Sequence, residues 1–261
     1  MGDAASVYDM AELRRLLLRE VSDGQRRLLT THFSDEFELV RALTIMREPA
    51  EDDTNEKKKL YDSLEHLAKS RGKEIVDFRS IPSVEHIDHV SLPDTVKNNI
   101  LLWQGDVTQL QVDAIVNPAN NSLLGCFAPS HRCVDNVIHW AAGPRLRRDC
   151  ARALKTRKRP EPVGNCLSTL AHALPSKYVL HTVGPSLETG ETLTIEHIEQ
   201  LRSCYLSCLE EAEKLGLTTI AFTSVSTGIF GFPRAVAARL AVATCCYFLE
   251  RVKTSNPLKI I

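Results

Sequence analysis

Val112-Asp-Ala-Ile-Val-Asn-Pro-Ala-Asn-Asn-Ser-Leu-Leu-Gly125 passes from an apolar run into a cluster of short polar side chains and ends on glycine. Residues 114–116 read as a buried strand, because the run is short, apolar and closed by turn chemistry. Asn117 to Ser122 supply donors and acceptors suited to hydroxyl groups. The flanking sequence repeats this unit. Residues 100–103, 166–170, 178–181 and 219–223 read as strands, and 134–142, 145–154, 195–215 and 233–251 as helices. Such alternation predicts an α/β domain of three layers, with helices on both faces of a mixed central sheet. Ligands bind such sheets beyond the strands' carboxyl ends, where turns meet helix N-termini. Residues 257–261 read as a last strand: either a short edge, or a sign that the domain lacks its final element.

Residues 1–95 have a different texture, without cysteine and with helical periodicity. Leu13, Leu16, Leu17 and Val21 form one apolar stripe. Phe37, Leu39, Val40 and Leu43 form a second, and Leu60, Leu64, Leu67 and Ala68 a third. Asp35 and Asn55 stand at N-cap positions. The polar tract 51–59 reads as an exposed junction running into a helix, and 91–95 as a linker. The expected division is a helical N-terminal extension, 1–95, followed by the α/β domain, 96–261.

The chain has 261 residues, 43% hydrophobic and 25% charged, as in soluble globular proteins. A net charge of −1 excludes a global electrostatic footprint for nucleic acid. Locally, Arg145, Arg147, Arg148, Arg152, Lys155, Arg157, Lys158 and Arg159 crowd one helix and its exit. The expected reading is a solvated face, with a docking surface for an acidic partner as the alternative. No apolar leader core and no run of about 18 apolar residues is present, so neither secretion nor membrane spanning is expected. All eight cysteines lie between Cys126 and Cys246, and read as reduced thiols of a cytoplasmic protein. Cys204 and Cys208 share a helix face suited to packing, while Cys245 and Cys246 diverge on theirs. Residues 1–6 fit a myristoylation pattern only formally, since an acidic residue follows the glycine.

Cys126-Phe-Ala-Pro-Ser-His-Arg-Cys133 brings together the side chains that Zn²⁺ prefers, Cys126, His131 and Cys133, with Asp135 two residues beyond. Catalytic zinc uses three protein ligands and keeps one position open. From these residues alone, a loop that merely contains two thiols and a histidine stays an alternative. A second loop, Ser224-Val-Ser-Thr-Gly-Ile-Phe-Gly-Phe-Pro233, leads from a strand into a helix. Gly228 and Gly231 allow close backbone approach, and successive N–H groups there can cradle phosphate. Phe230 and Phe232 read either as walls for a ribose or as core.

Taken together with Gly105-Asp-Val-Thr108, Val134-Asp-Asn-Val-Ile-His139 and His181-Thr-Val-Gly-Pro185, these stretches resemble the macrodomains, which bind ADP-ribose. The resemblance covers residues 98–261. Most macrodomains have a short glycine run where this chain has 126–133, a departure that resembles the zinc-dependent branch with its helical N-terminal extension. That branch implies a protein-ADP-ribose hydrolase, associated with sirtuin-type ADP-ribosyltransferases, with one Zn²⁺ per chain. It implies Asp106 on the adenine amine, the Val107 backbone on the proximal phosphate and Asn120 on the distal ribose. Ser226, Thr227, Gly228, Ile229 and Phe230 would hold the diphosphate by their backbone, and Phe232 would wall the distal ribose. Asp135 falls where hydrolytic macrodomains place their functional aspartate; read by itself it is a helix N-cap beside His139, as Asp106 is a turn aspartate.

The expected function is therefore zinc-dependent removal of mono-ADP-ribose from modified proteins, at Asp or Glu side chains. Two thiolates leave a weaker Lewis acid than three histidines, so the metal is expected to orient and stabilise, with Asp135 and Asn120 carrying the chemistry. The alternatives are a non-catalytic reader of ADP-ribose, a scaffold whose N-terminal helices and basic stretch recruit a partner, and an O-acyl-ADP-ribose deacylase.

Overall fold

The sheet centres on β3 (Ala114–Ala119), in which only Pro118 escapes full burial. The computed structural model describes residues 7–49, 54–70, 74–84, 92–252 and 257–261. β3 pairs in parallel with β5 (Tyr178–Val183) along its whole length, and on its other side with β6 (Thr219–Ala221). β7 (Lys259–Ile260) extends the sheet in parallel beyond β6, and β4 (Cys166–Leu170) closes the opposite edge antiparallel to β5. The sheet is mixed, in the order β4-β5-β3-β6-β7.

Side chains alternate across the sheet, and each face has its own core. Ala114, Val116, Leu180 and Ile220 pack under Cys208 and Leu209 of α8 (Ile195–Lys214) and Phe248 of α9 (Arg234–Arg251). Ile115, Val179 and Ala221 pack under Ile138 of α6 (Val134–Ala142) and Leu146 of α7 (Pro144–Arg157). Burial on both faces explains why these strands read as continuous apolar runs. This is the expected three-layer α/β arrangement. All eight cysteines are free, and Cys204 and Cys208 are fully buried. Among the described residues no helix is long and apolar enough to cross a membrane.

Two expected strands shrink. Residues 100–103 form no strand; Ile100 bridges Ile260 and Leu101 bridges Ser83. β7 is too short to extend that ladder, and Leu102 turns out to 65% exposure. β6 stops at Ala221 rather than 223, and Phe222 N–H closes onto Ile261 O at 2.7 Å as the loop begins.

The N-terminal helices are α1 (Met10–Leu18), α2 (Asp23–His32), α3 (Glu36–Met46) and α4 (Asn55–Ser70). Leu13, Leu17, Leu39, Val40, Leu43, Leu60 and Leu64, drawn from the three predicted stripes, meet in one small core. Asp35 caps α3, accepting from Glu38 N–H at 2.9 Å. Asn55 does not cap α4. It lies inside the helix, and Thr54 accepts from Lys57 and Lys58 instead. Residues 1–6, the start of the polar tract at 51–53, and Ser91 lie outside the described residues. Of the expected linker, Asp94 opens a single helical turn, α5 (Asp94–Lys97). Upstream of it, β1 (Val76–Asp77) pairs in parallel with β2 (Leu110–Gln111), and Ile81 and Val84 enter the cores on the two sheet faces.

The basic stretch corrects the sequence reading. Arg147 is 6% exposed, and Arg145 is held between Asp62 (2.6 Å) and Glu65 (2.7 Å) of α4. One part of the cationic face thus docks the N-terminal helices instead of meeting solvent.

Candidate active site

Beyond the carboxyl ends of β3 and β6 opens a cleft of about 650 Å³. Cys126, His131, Cys133 and Asp135 line one side, and Ser226 to Phe230 the other, with Asn120 between them. Arg132 and Arg234 also reach its walls.

The ligating atoms of Cys126, His131 and Cys133 lie within 4.8 Å of one another, with Cys126 Sγ 3.3 Å from His131 Nδ1. Asn136 builds this loop: its side-chain amide donates to Ala128 O (2.8 Å) and His131 O (2.9 Å). Cys133, not Asp135, is the N-cap of α6, its sulfur accepting from Asn136 N–H at 3.4 Å. Burial pushes the Cys133 thiol up to about 11, and the Asp135 carboxylate and the Cys126 sulfur add to the rise. A divalent cation would reverse that balance, since coordination deprotonates a thiol. Two sulfurs and an imidazole at this spacing, bordering a cleft, form a donor set that fits Zn²⁺ with an open position.

Asp135 is 6% exposed in the first turn of α6, where the helix dipole favours a carboxylate. Asn117 donates one amide hydrogen to Asp135 Oδ1 (2.8 Å) and the other toward His181 Nδ1 (3.1 Å). Burial drives His181 down to about 3, so the ring is neutral. With Nδ1 accepting, the remaining proton sits on Nε2, facing Thr169 Oγ1 at 3.0 Å. His139 Nε2 lies 3.4 Å from Asp135 Oδ1, but burial and the nearby Arg147 charge hold this ring neutral too, so the contact is no ion pair. Burial pushes the Asp135 carboxyl up to about 6, against the pull of the Asn117 amide and Arg147.

Across the cleft, the N–H groups of Ser226, Gly228, Ile229 and Phe230 have no acceptor among the described residues. The Ser226 hydroxyl is likewise buried without a partner. Gly231 N–H to Gly228 O (3.1 Å) and Phe232 N–H to Ser226 O (3.0 Å) close the turn. Gly231 has φ +68°, and Leu187 O sits 2.9 Å from where a Cβ would stand. Free N–H groups in succession at the start of α9 make an anion cradle.

Other expected residues lie elsewhere. Phe232 is 2% exposed and packs with Leu187, Leu201 and Val225 beneath the turn, so it cannot wall a ribose; Phe230 lines the cleft instead. Asp106 accepts from Thr108 N–H (3.0 Å) and Oγ1 (2.6 Å), and neither it nor Val107 is on the cleft walls. Asn120 braces the loops, donating to Gly125 O at 3.1 Å and accepting from Ser122. Sequence reasoning placed Asn117 in a ligand loop and His181 in a motif without foreseeing that they stand behind Asp135, and it gave no site role to Arg132, Arg147 or Arg234. Of these three arginines, Arg234 carried a signal, as a cation at the helix start behind the glycine turn.

The macro domain family model matches residues 116–241. A relative from Staphylococcus aureus (strain MRSA252), named protein-ADP-ribose hydrolase, is 36% identical over 245 residues, spanning 93% of this chain and 85% of its own. The chain belongs to the macro domain family. A second relative of this macrodomain, the protein-ADP-ribose hydrolase of Treponema medium, is 45% identical over 160 residues, 61% of this chain and 60% of its own. Among solved structures, the Trypanosoma brucei macrodomain in complex with ADP-ribose aligns with TM-score 0.60 and 32% identity, over 84% of this chain and 87% of that one. The Oceanobacillus iheyensis macrodomain with ADP aligns with TM-score 0.53 and 34% identity, over 62% of this chain and 80% of that one.

Proposed function

We propose that this macrodomain is a zinc-dependent hydrolase that removes mono-ADP-ribose from modified proteins. The linkage cut is to Asp or Glu side chains, and the opposing enzyme is a sirtuin-type ADP-ribosyltransferase. Hydrolysis at ADP-ribose is supported by relatives named protein-ADP-ribose hydrolase at 36% and 45% identity. One observation carries the finer reading: three metal donors and a buried carboxylate border the same cleft as a turn of free N–H groups.

The turn at 226–230 holds the diphosphate, and Arg234 adds positive charge beside it. Asp106 is assigned to the adenine amine and the Val107 backbone to the proximal phosphate, and Asn120 and Phe230 to the distal ribose. Remote contacts of this kind fix the anomeric carbon, so binding energy is spent on position. Asp135, oriented by Asn117, positions the attacking water and takes its proton. The bond from the anomeric carbon to the acyl oxygen breaks, the carboxylate leaves with the electron pair, and the hydroxyl stays on the sugar. Cys126, His131 and Cys133 hold Zn²⁺, which supplies a Lewis acid for oxygen at the reacting end. Arg132, exposed on the metal loop, favours an acidic leaving group.

Metal analysis of the purified protein, paired with ADP-ribose release from an aspartate- or glutamate-modified protein with and without chelator, tests the reading. One zinc per chain and release abolished by chelation are expected. Asp135→Ala should bind ADP-ribose with unchanged affinity and turn over about a hundredfold more slowly, the scale of general-base catalysis. Full activity in metal-free protein sinks the zinc role, and tight binding without any release leaves a reader.

A further inference from the structure

Arg147 is a buried cation whose hydrogen-bond partners, among the described residues, are all main-chain carbonyls. Its Nη1 donates to Ile45 O (2.9 Å) and Arg47 O (2.6 Å), with Thr44 O at 3.5 Å. These groups end α3, where carbonyls lack intrahelical partners and the helix dipole is negative. The guanidinium therefore caps a helix that lies a hundred residues earlier in the chain. Its other edge holds the loop that carries Cys126: Nε donates to Leu124 O at 2.6 Å. Its face lies 4.5 Å from the ring centroid of Phe127, the residue after Cys126. Gly125, at φ +80°, passes so close that a Cβ there would stand 3.3 Å from Arg147 Nη2 and 2.9 Å from the His139 ring.

A residue that served only as a helix cap would not spend its second edge and its face on another loop. A lysine could supply the charge, but it has no planar fork with which to hold two separate backbones. We propose that Arg147 is a positioning residue: one guanidinium clamps the end of α3 to the loop carrying Cys126, so that the N-terminal helices set the geometry of the reactive end of the cleft. This rests on the hydrolase reading for its kinetic consequence, but not for the clamp itself.

The test uses the full chain with Arg147→Lys, Phe127→Leu and the double variant. In Arg147→Lys, amide hydrogen exchange should quicken together in peptides covering 40–49 and 124–133. Labelling of Cys126 by a maleimide in the metal-free protein should speed up at least threefold. On a mono-ADP-ribosylated protein, kcat should fall at least tenfold, with KM and the ADP-ribose Kd changing less than threefold. Phe127→Leu, a milder change at a half-buried position, should lower kcat severalfold and add little to the Lys variant, because both loosen one clamp. Exchange that quickens in only one of the two peptides overturns the proposal. So does a Lys variant with wild-type kcat, or variants whose effects multiply. If wild-type protein releases no ADP-ribose while the coupled exchange and labelling still appear, the hydrolase reading fails and the clamp stands.

Discussion

Asp135 is oriented by a hydrogen-bonded chain of neutral side chains: Thr169, His181 and Asn117 pass the constraint inward to outward. Asn117→Ala removes the donor to Asp135 and should lower turnover while leaving ADP-ribose affinity near wild type. Its stability cost should be about 1–3 kcal/mol, the penalty for a buried group left unsatisfied, measured by urea unfolding. Gly125 is a second sensitive position. Gly125→Ala forces a side chain into left-handed backbone, which alone costs about 1–2 kcal/mol. It also meets the His139 ring, so the variant should lose stability and turnover together.

At the scale of elements, Asp113 registers the parallel strands. Its carboxylate accepts from Thr218 N–H (2.7 Å), Thr218 Oγ1 (2.7 Å) and Thr219 N–H (3.1 Å) at the start of β6. It also pairs with Lys177 at 2.6 Å, just ahead of β5. Burial pushes this carboxyl up, but the bonds from Lys177 and Thr218 prevail and hold it at about 2, below its ordinary 3.8. A depressed folded value stabilises wherever the unfolded group would be ionised. The contribution is therefore complete above a pH of about 4 and disappears as pH falls toward 2. Asp113→Asn should cost about 2 kcal/mol near neutrality. It should also flatten the loss of stability between pH 4 and 2, read from denaturation midpoints; an unchanged acid limb would refute the assignment.

Across the whole molecule, the N-terminal helices are docked on α6 and α7. Arg145 bridges Asp62 and Glu65, and Phe37 meets Trp140 edge-on with ring centroids 5.6 Å apart. A shared, partly buried interface predicts one cooperative unfolding transition followed by Trp fluorescence and far-UV circular dichroism. Arg145→Ala leaves Glu65, whose side chain is only 14% exposed, without its cation. The variant should lose about 1–3 kcal/mol. Two separated transitions in the wild type would show that the helices and the α/β region fold independently.

Much of this was legible along the chain, for reasons that are local. Burial on both faces makes β3 an apolar run, and amphipathic stripes mark α1, α3 and α4. The spacing of Cys126, His131 and Cys133 depends only on covalent sequence. What pairs with what was not legible. Nothing near Arg147 says that its partners are carbonyls at 45, 47 and 124, so a run of like charges read as solvated surface. Phe230 and Phe232 are chemically alike, and only the closed turn decides that one faces the cleft while the other fills the core. The amino-acid sequence by itself determined the layers, the spacing of Cys126, His131 and Cys133, and the glycine turn after β6, because each follows from periodicity or short-range chemistry. Tertiary structure alone decided the network behind Asp135 and the clamp at Arg147, because contacts between distant segments depend on how the packed elements meet.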